Sequence, residues 1–227
     1  DAVSFAEDGS TSIALSGSDI DGDGLTYSIS GGSDITATVD GLTVTFSASA
    51  NFSGSEAFIA TVTDGELSSS QPFTVTVDPV NDAPVLVAVS DVSFAEDGST
   101  SITLSGSDID SEDLTYSISY GTDITATVNG DTVSFSAPEN FNGSESFTAT
   151  VTDGEFTSSQ TFTVTVTAVN DAPTANATIG TVAEDGSVVV TLSGSDIDGD
   201  NLTFSLASNA TNGSVTVQGS QATYTPS

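Results

Sequence analysis

The sequence predicts an all-β fold: a tandem array of Greek-key β-sandwich domains. Three observations carry this expectation. Apolar residues alternate with Ser and Thr at period two, turn dipeptides separate the alternating runs, and the whole pattern returns with a period of about 89 residues. No stretch has helical periodicity.

The elements follow in order. After Val3-Ser4-Phe5, residues Leu25, Tyr27 and Ile29 alternate with Thr26 and Ser28, and Val44 and Phe46 with Thr43 and Thr45. Phe58, Ala60 and Val62 form one apolar face; Phe73, Val75 and Val77 form another. The second repeat gives Leu114, Tyr116, Ile118; Val133, Phe135; Phe147, Ala149, Val151; and Phe162, Val164, Val166. Ser and Thr at the outward positions suit a pleated, hydrated face. Asp40-Gly41 and Asn129-Gly130 sit between strand runs as hairpin signals, and Asp64-Gly65 and Asp153-Gly154 mark a further turn. About six or seven short strands per repeat make a sandwich. The repeats are placed at residues 1–82 and 83–171, with a partial third at 172–227, and Pro84 and Pro173 stiffen the exits from the linkers. The third stops at Pro226-Ser227, so the segment reads as an excerpt of a longer chain.

Composition narrows the partners. There are 32 acidic residues and no Lys, Arg or His, for a formal charge of −32 over 227 residues. Nucleic acid and anionic membrane surfaces are poor partners, because their binding relies on basic side chains. Disorder is excluded, since 36% of the residues are hydrophobic and regularly spaced. With no Cys there is no disulfide, and metal ions are a common substitute in small domains. Carboxylate-only catalysis needs one pair of acids flanking a cleft, yet the same acids recur in every repeat, so an enzyme is not expected.

The acids recur in a fixed pattern. Glu7-Asp8-Gly9 returns at Glu96-Asp97-Gly98 and Glu184-Asp185-Gly186; Asp19-Ile20-Asp21 returns at Asp108 to Asp110 and Asp196 to Asp198; Asn81-Asp82-Ala83-Pro84 returns at Asn170 to Pro173. Asp19-Ile20-Asp21-Gly22-Asp23-Gly24 has the alternating oxygens of an EF-hand loop, but its twelfth position is Ser30 where a bidentate Glu belongs. Two carboxylates about 4 Å apart repel by roughly 4 kcal/mol at an effective dielectric near 20, so several acids meeting at one joint need a cation or a proton. The alternative is that they stand outward as solvated turn residues.

An early Glu, an Asp-x-Asp turn, a Thr-x-Thr-Asp-Gly segment and a closing Asn-Asp-Ala-Pro resemble cadherin repeats. More closely, the chain is similar to the cadherin-like tandem repeats of large secreted bacterial adhesins and matrix proteins. The resemblance implies cadherin/immunoglobulin-like sandwiches with Ca²⁺ between neighbours. At the first joint it implies ligands Glu7, Asn81, Asp82, Asp108, Asp110 and Asp153. At the second it implies Glu96, Asn170, Asp171, Asp196 and Asp198, the equivalent of Asp153 falling past Ser227. Asp19, Asp21 and Asp64 would face a preceding repeat. The cadherin Asp-Arg-Glu motif has no counterpart, its region reading Asn51-Phe52-Ser53-Gly54 and Asn140-Phe141-Asn142-Gly143, and Val80 and Val169 replace a polar linker residue. Fewer or weaker ions per joint are therefore expected.

The function this implies is a non-enzymatic, Ca²⁺-stiffened extender or adhesive segment of a giant extracellular bacterial surface or biofilm-matrix protein. Its partners would be neighbouring repeats, other copies, or cell-surface and matrix ligands reached through other regions. A self-assembling filament or surface-layer subunit is the alternative, and a carbohydrate-binding module the second. Phe52 and Phe141, which follow Asn in a loop, are expected to plug the sandwich end in preference to anchoring a ligand.

Overall fold

A computed structural model describes residues 2–227. Among them every regular element is a strand, and no helix is long and apolar enough to cross a membrane. The first repeat forms β1 (Val3–Ala6), β2 (Ser10–Ala14), β3 (Thr26–Gly31), β4 (Ile35–Asp40), β5 (Thr43–Ala48), β6 (Gly54–Thr63) and β7 (Ser68–Asp78). One sheet has the order β1-β7-β6-β3 and the other β2-β5-β4. β1 runs parallel to β7, with Val3 opposite Val75 and Phe5 opposite Val77; the other pairs are antiparallel.

The second repeat continues with β8 (Val85–Leu86), β9 (Val92–Ala95), β10 (Ser99–Thr103), β11 (Gly106–Ser107), β12 (Thr115–Ile118), β13 (Thr125–Asn129), β14 (Thr132–Ser136), β15 (Gly143–Thr152) and β16 (Thr157–Thr167). Its sheets, β12-β15-β16-β9 and β10-β14-β13, repeat the first pair, and a short ribbon joins β8 to β11. The third repeat supplies β17 (Thr174–Ala175), β18 (Val188–Thr191), β19 (Gly194–Ser195), β20 (Ser214–Gln218) and β21 (Gln221–Thr225), with a three-stranded sheet β18-β21-β20.

Period two becomes packing directly. In β5 the inward Val44 and Phe46 are fully buried while Thr43 and Thr45 stay exposed. Phe46, Phe58 and Phe73 form an aromatic cluster across the two sheets: Phe46 meets Phe58 edge-on at 5.4 Å and Phe73 at 6.0 Å. Phe135, Phe147 and Phe162 repeat it, with Phe135 at 5.4 and 6.0 Å from the other two. Such pairs add about 0.5–1.5 kcal/mol beyond area burial. Phe52 packs against the first core, as expected of a plug. The hairpin loops fall one residue later than the turn dipeptides suggest: Gly41-Leu42 and Gly130-Asp131 make the loops, while Asp40 and Asn129 still pair with Thr43 and Thr132. Gly41 and Gly130 hold φ of 58° and 64°, which glycine adopts freely.

The chain divides into two compact units, one of residues 1–87, 105–115 and 151–158, the other of 88–104, 116–150 and 159–227. The first unit thus takes in two turns of the second repeat, and they carry Asp108, Asp110 and Asp153.

Candidate metal centre

Glu7 lies one residue past β1, in a turn closed by the Gly9 N–H on the Ala6 carbonyl at 3.1 Å. Its N–H extends the β1–β7 pairing onto the Asp78 carbonyl at 3.0 Å, which sets its carboxylate beside the start of the linker. Glu7 Oε1 there accepts the Val80 N–H at 2.5 Å. Glu96 repeats this in the second unit: its N–H donates to Thr167 at 2.9 Å and its Oε1 accepts from Val169 at 2.5 Å. Both side chains are buried, 6% and 5% exposed. A buried carboxylate is costly unless its charge is compensated, and this chain has no basic side chain.

The Asp-Ile-Asp turns are self-bracing. Asp108 Oδ1 accepts the N–H groups of Asp110 and Ser111, both at 2.8 Å. Asp19 Oδ1 accepts from Asp21, Gly22 and Asp23, and Asp196 Oδ1 from Asp198 and Asp200. One oxygen of the first Asp shapes the loop and the other is left over. The second Asp reaches the linker: Asp110 Oδ2 accepts the Asp82 N–H at 2.7 Å, and Asp198 Oδ2 accepts the Asp171 N–H at 2.7 Å.

In the first unit these ties gather Asn81, Asp82, Asp110 and Asp153. Asn81 Nδ2 donates to Asp153 Oδ2 at 2.7 Å and to the Asp82 carbonyl at 3.1 Å. Asp82 Oδ2 and Asp108 Oδ2 are both buried, and neither has a hydrogen-bond partner among the described residues. Burial, then Asp110, Asp8, Glu7 and Asp108 around it, push the Asp82 carboxyl above its ordinary range. The Asn81 amide, with the N–H groups of Phe156 and Glu155, holds Asp153 below it. In the second unit, oxygens of Glu96, Asp171 and Asp198 lie within 4.8 Å of one another. Burial, then Asp198, Asp97, Glu96 and Asp196, push Asp171 up.

Three expected ligands stand apart from both clusters. Asp19 and Asp64 line one open cleft of the first unit with Leu25, Val62 and Leu67, and Asp21 is exposed in the neighbouring turn. The Leu67 and Glu66 N–H groups hold the Asp64 carboxyl below its ordinary range. Asn170 is exposed, its amide donating to the Asp171 carbonyl at 3.0 Å.

Three residues escaped the sequence reading. Asp8 and Asp97 act on Asp82 and Asp171, as above, while bracing a loop of their own sandwich: Asp8 Oδ1 accepts the Asn51 N–H at 3.2 Å, and Asp97 Oδ1 the Asn140 N–H at 2.9 Å. Asn51 lines an open cleft with Asp82, Ala83, Val85, Ser107 and Asp108. The signal was the Asp of the Glu-Asp-Gly turn, which takes φ of 58° and 59° in the first two repeats.

The donor set is hard oxygen throughout, without Cys or His. Such sets suit Ca²⁺ or Mg²⁺, and a flexible collection of carboxylates, amide and backbone oxygens suits Ca²⁺ better. Two buried, unpartnered carboxylate oxygens are the atoms a cation would satisfy.

Solved structures similar to this chain fix the fold alone. The PcdhgB3 EC1-4 structure matches over 100% of this chain and 64% of its own, at 13% identity and a TM-score of 0.57. Drosophila N-cadherin EC1-4 matches over 99% and 64%, at 14% identity and a TM-score of 0.50. An endo-fucoidan hydrolase of glycoside hydrolase family 107 matches at 23% identity with a TM-score of 0.33; the match covers 74% of this chain and only 28% of that one. No curated protein sequence matches. The family described as Bacterial Ig domain matches three times in succession, over residues 1–78, 81–167 and 170–227. The chain therefore belongs to the bacterial Ig domain family, as a tandem array with the cadherin-like sandwich fold.

Proposed function

We propose that this chain is a non-enzymatic, Ca²⁺-stiffened extender or adhesive segment of an extracellular bacterial surface or matrix protein. One observation carries the reading: Glu96, Asp171 and Asp198 bring carboxylate oxygens within 4.8 Å of one another in a chain with no basic side chain. The ligands come from a sandwich rim, a linker and the next repeat's Asp-x-Asp turn, so one ion ties three chain segments. Glu7, Asp82 and Asp110 are the corresponding set at the first joint, with Asp108, Asp153 and Asn81 beside them; Asn170 and Asp196 flank the second. Asp19, Asp21 and Asp64 would serve a joint with a preceding repeat.

The mechanism is mechanical. An ion offsets the repulsion at a joint and removes the linker's freedom to bend, and the chain's own residues pre-shape the site through the Asx turns of Asp108 and Asp196. Extracellular Ca²⁺ modules bind at about 10⁻⁴–10⁻³ M, so such joints would loosen inside a cell and stiffen outside it. Small-angle scattering in millimolar Ca²⁺ and in EGTA tests this. A narrower distribution of dimensions in Ca²⁺ is expected, and identical distributions would remove the stiffening role. Concentration-dependent growth in size would favour a self-assembling filament instead.

A further inference from the structure

Two acids stand apart from every joint. Among the described residues, the acids that lie in strands are Asp40, Glu56, Asp78 and Glu145, and Asp40 and Asp78 end their strands. Glu56 and Glu145 sit inside long strands, two residues before the buried Phe58 and Phe147, and so on the core-facing side.

Each carboxylate caps a row of consecutive backbone donors. Glu56 accepts from Ser33 at 3.0 Å on both oxygens, from Asp34 at 3.2 Å and from Ile35 at 2.9 Å. Glu145 accepts from Thr122 at 3.0 Å, Asp123 at 2.8 Å and Ile124 at 3.3 Å. These residues form the corner where the chain passes from β3 to β4, and from β12 to β13. Ile35 and Ile124 are core residues, so the corner leads straight into the packed interior. The corner also has no room for side chains: a Cβ at Gly32 would lie 2.6 Å from the Phe58 ring, and one at Gly121 would meet a Glu145 carboxylate oxygen.

No ion is needed here, because the backbone N–H groups supply the compensation. Glu56 faces Val75 across β7, and the one acid in its cradle, Asp34, contributes its N–H. The corresponding acid at Glu145 is Asp123. The Ile35 and Ser33 N–H groups, and after them that of Asp34, hold the Glu56 carboxyl below its ordinary range, with no charged neighbour involved.

We propose that Glu56 and Glu145 are cation-independent latches, one per complete sandwich, that pin the sheet-crossing corner and release it in acid. The proposal stands apart from the calcium reading: joints respond to chelation, sandwich corners to protonation. The sign is fixed by linkage. The Glu56 carboxyl, depressed in the fold, contributes stability that is present above its ordinary value of 4.5 and lost as pH falls through its folded value.

The test is an NMR pH titration of the full chain from neutral to pH 2, in EGTA and again in Ca²⁺, following the amide protons of residues 33–35 and 122–124. A carboxylate acceptor shifts such protons downfield, so each set should move with a step in the acid range, unaffected by Ca²⁺. Glu56→Gln should abolish the step at residues 33–35, leave it at 122–124, and cut hydrogen-exchange protection at Ile35 by about tenfold. Glu145→Gln should do the converse. A wild-type chain whose six amides show no acid step, or move with Ca²⁺ instead, would overturn the proposal even if a variant failed to fold. Unchanged protection in a folded Glu56→Gln would overturn it too.

Discussion

The two linkers gather the same core of acids, and they differ here only in that the following repeat's Thr-Asp-Gly turn lies within the sequence for the first and past Ser227 for the second. At the first, Asn81 is half-buried and its amide reaches Asp153, so the Thr-Asp-Gly turn covers the linker from one side. At the second, where the equivalent turn would fall past Ser227, the Asn170 amide donates to the Asp171 carbonyl, and Glu96, Asp171 and Asp198 draw close. The shared elements are the buried Glu on the linker N–H and the second Asp of Asp-Ile-Asp on the linker Asp N–H. The Glu and the Asp-x-Asp turn gather oxygens at both linkers, and the Thr-Asp-Gly turn adds a cover at the first.

The largest expected effect is loss of one site. Asp108→Ala with Asp110→Ala removes the unpartnered Asp108 oxygen and the acceptor of the Asp82 N–H, and should abolish Ca²⁺ binding at the first joint while sparing the second. Titration calorimetry should show the stoichiometry fall and the second joint's affinity persist. Unchanged stoichiometry would sink the ligand assignment.

Covering is a smaller matter than gathering. Asp153→Asn keeps a hydrogen-bonding group beside Asn81 but removes the charge, so it should weaken the first joint's affinity by roughly threefold to tenfold and leave the second untouched. Equal weakening of both joints, read by calorimetry, would erase the distinction between them.

The smallest effect is a pH slope. Asp82 and Asp171 are pushed up by burial and by neighbouring acids. The folded joints therefore bind more protons than the unfolded chain between the ordinary Asp range and the raised values, and without metal their stability falls as pH rises through that window. Metal-free protein should melt higher in mild acid than at neutral pH, and Asp82→Asn with Asp171→Asn should flatten the slope. Asp64 and Asp153 are depressed and pull the other way at lower pH. A wild-type slope that survives the double substitution would place its origin elsewhere.

Much of this was legible in the sequence because it is local. Alternation placed Val44, Phe46 and Phe58 in the core, and the Asp-Ile-Asp spacing announced a turn whose first oxygen braces its own backbone. Tertiary placements were not legible. Glu56 reads as an ordinary polar residue in a strand, and its role exists only because β6 runs past a corner 21 residues back in the chain. Asp8 looked like a turn residue, and nothing near it in sequence points to Asn51, 43 residues away.

The central claim, that the acids at the joints hold a cation, is tested most directly by thermal unfolding in millimolar Ca²⁺ and in EGTA, at matched ionic strength with a Mg²⁺ control. Binding to the folded state alone should raise the melting temperature by about 5 °C or more in Ca²⁺, with a smaller rise in Mg²⁺. Superimposed curves in Ca²⁺ and EGTA would contradict it and return these carboxylates to the solvent.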